Sequence, residues 1–270
     1  MATHDDAPPA RGMAFDADAA RRFEAIYQTP DAARRRLLVR DALALQPGER
    51  VIDVGTGPGF LARDMAGPVG QDGGVLGVDT SDAMLARARD RCADVPWVRF
   101  ESGDASQLPV DDATFDAAAS VQVFEFIPDV DHALGEMHRV LKPGGRAVVV
   151  ATDWDSILWH SADRARMARV LDAFGAHCPH TDLPRTLGPR LRRAGLAMEG
   201  HGVITQFTPV FAPDTYAASI MPIVAEFVAA RGGVASEEAR AWLDEQHQLA
   251  RDGAFFFCLN QFLFQVRRPV

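Results

Sequence analysis

The segment that most restricts how this chain can fold is Val51–Phe60, VIDVGTGPGF. A short apolar run reads as a strand, glycines follow at 55, 57 and 59, and a helix can start at Phe60. Without Cβ atoms at the turn, the backbone bends sharply between strand and helix and can approach a ligand closely. The spacing is Gly-x-Gly-x-Gly, whereas a dinucleotide fingerprint needs Gly-x-Gly-x-x-Gly with a helix N-terminus facing a pyrophosphate. Phe60 stands where that third glycine belongs. The plainer alternative is a tight strand–helix turn.

What surrounds the loop extends the pattern. Thr29-Pro30-Asp31 can cap and open a helix that carries Leu38, Ala42 and Leu45 on one face, and Gln46-Pro47-Gly48 closes it. Strands are expected at Val51–Val54, Gly74–Val78, Trp97–Phe100, Phe115–Val121 and Arg146–Thr152. A helix from Ser81 places Met84, Leu85, Ala88 and Cys92 on one side. Another from about Asp131 carries Leu134, Met137, Val140 and Leu141 and is stopped by Pro143-Gly144-Gly145. This βα alternation implies an α/β fold with a parallel sheet covered on both faces. Beyond it, helices are expected at 161–174, 183–194, 214–230 and 236–251, and strands at 197–207 and 255–266. We read residues 1–18 as a mobile tail and 19–270 as a single domain, with N-terminal helices over 19–48, a core over 49–155 and a helical insertion over 213–252.

Composition narrows the class. The 270 residues carry 28 Lys plus Arg against 37 Asp plus Glu, a net charge of −9, which argues against nucleic acid because phosphate binding needs clustered cations. No apolar run approaches a membrane span, since Pro222 and Glu226 break the stretch around Ile220–Ala230. The cysteines at 92, 178 and 258 lie far apart and suit a reducing, cytoplasmic compartment. His177, Cys178, His180 and Asp182 invite a metal reading, but near neighbours in sequence seldom converge on one ion, and no metal is expected.

Two carboxylates follow strand ends. Asp79, in LGVDTSDAML, can accept both hydroxyls of a ribose, or alternatively cap the next helix. Asp104, in ESGDASQLP, can accept from an adenine amino group with the Ala105 amide facing a ring nitrogen, or sit in an exposed turn. Met84 can pack on a base or in the core.

Taken in order, VIDVGTGPG, GVDTSDAML, GDASQLP, FDAAASVQVFEFIPD and VLKPGGRAVVV resemble the class I S-adenosylmethionine-dependent methyltransferases. More narrowly, the chain resembles the ubiquinone/menaquinone-type and small-molecule methyltransferases. The resemblance implies a Rossmann-like, seven-stranded, mostly parallel sheet with an antiparallel last strand and a helical insertion before it. It implies S-adenosyl-L-methionine as cofactor. Gly55, Thr56, Gly57 and Gly59 would border the methionine part, Asp79 and Thr80 the ribose, and Met84, Asp104 and Ala105 the adenine. Ser120, Val121 and Gln122 would lie beside the sulfonium, and Tyr27 and Arg36 would close over the cofactor.

The expected function is methyl transfer to a small, partly apolar organic acceptor. A noncatalytic S-adenosylmethionine-binding module and a nicotinamide-dependent oxidoreductase remain as alternatives. Alignment alone can supply much of the rate, so a base is needed only where the acceptor must lose a proton early. Glu125, in the loop after the fourth strand, His160 and Tyr27 are the candidate catalytic side chains. In the insertion, Tyr216, Ile220, Ile223 and Phe227 share one helical face, and Ser236 is expected to cap the second helix. That face can pack on the sheet edge, but because the family places substrate-specific additions in such regions the resemblance favours a lid, with Met221 and 255–257, over a small acceptor. The acceptor atom and the oligomeric state are not legible.

Overall fold

The computed structural model describes residues 17–231 and 233–270. Of the expected tail, residues 1–16 lie outside the described residues, and 17 and 18 open a helix. Gly232, in the joint of the insertion, also lies outside them.

Two helices lead in: α1 (Ala17–Gln28) and α2 (Pro30–Leu43). The Thr29 Oγ1 accepts from the Ala32 amide at 3.3 Å, so the predicted cap forms. The alternating core follows as β1 (Arg50–Val54), α3 (Phe60–Val69), β2 (Gly74–Asp79), α4 (Asp82–Arg91), β3 (Val98–Ser102), β4 (Phe115–Val121), α5 (Val130–Val140) and β5 (Leu141–Trp159). The remainder is α6 (Arg164–Phe174), α7 (Pro184–Arg193), β6 (Ala197–Thr208), α8 (Tyr216–Ala230), α9 (Ser236–Arg251) and β7 (Phe257–Arg267).

The seven strands form one sheet in the order β3-β2-β1-β4-β5-β7-β6. The first five are parallel, and β7 runs antiparallel to both its neighbours, as expected for the last strand. Side chains alternate between the two faces. Val51, Ala117, Val148 and Val150 meet α2 and α3, while Ile52, Ala118, Ala147 and Val149 meet α5 and α7. That period of two, with both faces apolar, is what a doubly covered sheet requires.

Three expectations are corrected. Pro143-Gly144-Gly145 does not separate α5 from the fifth strand: Leu141 already pairs with Phe115, and the glycine turn is a detour before pairing resumes at Ala117 with Arg146. The strand also runs on to Trp159, well past Thr152, through an irregularity between Asp153 and Leu158. The cap of α9 is Ala235, not Ser236, which is the first helical residue; no side chain caps that end.

The insertion, α8 and α9, builds its own core with α6 and the end of β5. Trp242 is fully buried there, edge-on to Trp159 with ring centroids 5.3 Å apart. Tyr216, Ile220 and Phe227 are buried in the same cluster and Ile223 packs against it. The apolar stripe of α8 is therefore spent on packing, and no described residue of 213–252 lines the cleft described next, which departs from the expected lid.

Candidate active site

Strands β1 and β4 are neighbours whose following helices lie on opposite faces, so a crevice opens at their carboxyl ends, where open α/β sheets bind ligands. A cleft of about 910 Å3 occupies it.

One end is made of turns. Asp79, at the tip of β2, accepts from the Gly57 amide at 2.8 Å through Oδ2 and from the Ser81 amide at 2.9 Å through Oδ1. It thus ties the glycine loop to the start of α4. Ser81 itself caps α4, its Oγ accepting from Met84 N at 3.3 Å. The Thr80 backbone also donates to Asp79, and since a carboxylate has about four lone-pair positions, capacity remains for a ligand. Partial burial raises the Asp79 pKa, while those backbone donors pull it down.

Gly55 shows why that turn excludes side chains: φ is +72° and a Cβ there would stand 2.2 Å from Val123 Cγ2. At Gly57 (φ +52°) the nearest atom would be the Tyr27 hydroxyl at 3.6 Å, leaving room toward the cleft. Thr56 donates to the buried Asp53 at 2.8 Å. Burial pushes the Asp53 carboxyl up to about 7. Thr80, Met84, Asp104, Ala105 and Tyr27 complete this end. Met84 is buried, and Asp104 is exposed, with Oδ1 accepting from Ser106 N at 2.7 Å. Tyr27 is held from behind, because Arg36 donates to its carbonyl at 2.6 Å and pairs with Asp64 at 2.8 Å. Glu24 ties α1 to α4 through Arg87 and Arg91.

The centre of the floor is strained. Gln122 follows β4 with φ +57°, a left-handed conformation that a non-glycine residue adopts at a cost. Its side chain is fixed by Arg35, which donates to its Oε1, and by Thr152, whose Oγ1 accepts from Nε2 at 2.8 Å. Arg35 also donates to Gln261 Oε1 at 3.2 Å, and Gln206 donates to the same oxygen at 3.0 Å. Arg35 is buried, makes no ion pair with a carboxylate among the described residues, and its pKa falls through desolvation. No sequence motif marks Arg35. The signal was present: it shares the buried stripe of α2 with Ala32, Val39 and Leu43.

The other end is apolar, lined by Val123, Phe126, Ile127, Pro128 and residues 175–179. His177, Cys178 and His180 diverge here rather than converge. His177 is buried, Cys178 faces the cleft with its thiol pushed up to about 12 by burial, and His180 Nε2 lies 3.1 Å from the Pro128 carbonyl.

The structure brings nine predicted residues into the cleft: Tyr27, Gly55, Gly57, Asp79, Thr80, Met84, Asp104, Ala105 and Gln122. Arg36, Thr56, Gly59, Ser120 and Val121 stand behind its wall. Gly59 packs on Ala88, Ser120 is fully buried, and Val121 pairs with Val150. Glu125 is not a solvated loop residue. It is fully buried, its Oε1 accepts from Thr152 N at 3.1 Å, and desolvation raises its carboxyl to about 7. It does not line the cleft, and His160 is exposed beyond it.

Residues 52–149 match the family described as a methyltransferase domain. Over 110 residues, 40% of this chain, the sequence is 41% identical to 2-phytyl-1,4-naphtoquinone methyltransferase of Synechococcus elongatus, covering 47% of that protein. It is 34% identical over 199 residues to 27-O-demethylrifamycin SV methyltransferase of Amycolatopsis mediterranei, covering 67% of this chain and 66% of the relative. The chain spans under half the length of several curated relatives it matches, 28% to 47%. Among solved structures, the cyclase SpnF superposes with a TM-score of 0.59 at 26% identity, covering 88% of this chain and 82% of that one. No helix among the described residues is long and apolar enough to cross a membrane. The ordered motifs, the strand order with its single reversed strand and these matches place residues 52–149 in the methyltransferase-domain family, on a Rossmann-like class I S-adenosylmethionine-dependent methyltransferase fold.

Proposed function

We propose that the chain transfers a methyl group from S-adenosylmethionine to a small organic acceptor. The observation that carries this reading is the continuity of one cleft from a polar end, at Asp79 and Asp104, to an apolar end at Phe126, Ile127 and Cys178. Its volume lies near the top of the usual ligand-site range of roughly 300–1,000 Å3 and suits two molecules end to end.

The polar end fits the cofactor. The free lone pairs of Asp79 suit ribose hydroxyls, Met84 offers an apolar wall for the base, and Asp104 offers a carboxylate oxygen to its amino group. The bare backbone at Gly57 admits the amino-acid part under Tyr27. When bound, S-adenosylmethionine supplies an electrophilic methyl on a sulfonium. The chain's own contribution is to hold an acceptor in line with it and keep water out, which the apolar end suits. Of the three candidate catalytic side chains, only Tyr27 lines the cleft, so we assign it the orienting of an acceptor group. Glu125 acts from behind the wall, by holding Thr152 beside Gln122.

Relatives named for a phytyl naphthoquinone and a demethylrifamycin favour a small-molecule acceptor over nucleic acid. Three free cysteines suit the cytoplasm. Likeness to a cyclase supports a second reading, ring closure on the same fold. The two separate by following the label: with methyl-tritiated S-adenosylmethionine and a panel of phenols, quinols and amines, tritium should enter the acceptor extract. Retention of all tritium on bound cofactor would favour the cyclase or a noncatalytic module.

A further inference from the structure

His177 sits where two cavities meet. It and Gly175 line both the cleft and a second cavity of about 280 Å3, walled also by Trp154, Ile157, Leu171 and Phe174. The imidazole is fully buried among aromatic rings. It stacks on Phe174 with centroids 4.2 Å apart and planes 5° from parallel, Trp154 meets it edge-on at 4.5 Å, and Phe126 at 5.9 Å.

One ring nitrogen is accounted for. Nδ1 lies 2.7 Å from the Phe174 carbonyl oxygen. A carbonyl only accepts, so Nδ1 carries the proton, and a neutral ring then leaves Nε2 as a bare lone pair. Burial holds the ring pKa down at about 4, so it is neutral at pH 7. Nε2 is buried and has no hydrogen-bond partner among the described residues. A histidine kept only for packing gains nothing from an unpaired buried acceptor, which is a standing cost. The wall it belongs to, with Phe126, Ile127 and Cys178, is the apolar end of the cleft.

Resting on the methyl-transfer reading above, we propose that His177 Nε2 accepts a hydrogen bond from a hydroxyl of the methyl acceptor, and so selects a neutral, planar aromatic hydroxyl compound. Phe126, which lines the cleft and meets the imidazole edge-on, offers a flat ring an apolar wall beside His177. The lone pair repels an anionic oxygen and leaves an acceptor without a donor group unpaired. A site built around such a bond discriminates against the analogue that lacks it.

The test uses two probes with one ring system: 2-naphthol and its O-methyl ether, which cannot donate. Each is titrated into the full chain saturated with S-adenosylhomocysteine, whose own binding is measured first. Wild type should bind 2-naphthol roughly fivefold to tenfold more tightly than the ether. His177→Phe, which keeps the stack, should bind the two alike with S-adenosylhomocysteine affinity unchanged. The long-range 1H–15N signal of His177 Nε2 in wild type should move on adding 2-naphthol and stay still with the ether, a readout that serves even if the variant fails to fold. Equal binding of both probes to wild type, binding of neither, or a stationary nitrogen signal would overturn the proposal. Failure of S-adenosylhomocysteine to bind would instead defeat the cofactor reading, and the same probe pair on the unloaded protein would still decide the role of His177.

Discussion

The two ends of the cleft are built on different principles. The polar end is made of backbone: a glycine turn, two helix starts and one carboxylate that bridges the Gly57 and Ser81 amides. The apolar end and the floor rest on side chains from distant parts of the chain, the half-buried Gln122 and the buried Arg35, Glu125, Thr152, His177 and Gln261. The first kind of site is local and tolerates changes in the rest of the sheet. The second depends on tertiary packing and carries polar groups whose charge the protein suppresses.

The largest expected effect breaks the backbone end. Gly55→Ala meets Val123 at 2.2 Å in a left-handed conformation, which should cost about 2–5 kcal/mol in strain and overpacking. Cofactor binding should be lost and the melting temperature lowered. Gly57→Ala, with open space ahead of it, should cost only about 1–2 kcal/mol. Equal melting temperatures and affinities for the two variants would mean that close approach at Gly55 is not what the loop needs.

Glu125→Gln sharpens the other side of the comparison. The folded carboxyl is raised to about 7 from 4.5 by burial, so the folded state binds its proton more tightly than the unfolded state. Wild type therefore loses stability as pH rises from about 4.5 to about 7 and levels off above that, by on the order of 3 kcal/mol. Glutamine keeps the acceptor for Thr152 N without the charge. Its advantage in urea unfolding should be near zero at pH 4, grow through this window and then stay constant. A stability gap that does not change with pH would place Glu125 in contact with water.

Asp104→Ala is the smallest change. The residue is exposed and its carboxylate accepts from the Ser106 amide, a contact within one turn, so stability should hardly move. Affinity for S-adenosylmethionine should fall by about two- to tenfold, the worth of one hydrogen bond. Calorimetry on both proteins checks it, and an unchanged affinity would make Asp104 a turn residue only.

The same contrast explains what could be read in advance. Strand β4 was legible to the residue, and the cap at Thr29 and the carboxylate at Asp79 follow from local spacing alone. The start of β5 was not, because Pro143-Gly144-Gly145 signals a stop that the pairing of Leu141 with Phe115 overrides. Glu125 and His160 read alike as loop ionisables, yet one is buried under β5 and the other exposed. His177 gains its meaning from Trp154 and Phe174, residues on two other elements. The stripe on α8 announced an apolar face, and the resemblance favoured a lid over ligand rather than core. Trp242 and Trp159 fill the space it faces, and that pairing depends on contacts about 80 residues apart that no periodicity encodes.

The central claim is that the Asp79 end of the cleft holds S-adenosylmethionine, and equilibrium calorimetry tests it most directly, with NADH as the competing ligand and Asp79→Ala as the probe. The account predicts one S-adenosylmethionine per chain, no heat with NADH, and about a ten- to hundredfold weaker S-adenosylmethionine affinity in a folded Asp79→Ala variant, the worth of a hydrogen bond to a charged group. Binding of NADH without S-adenosylmethionine, or an Asp79→Ala variant with wild-type affinity, would contradict it.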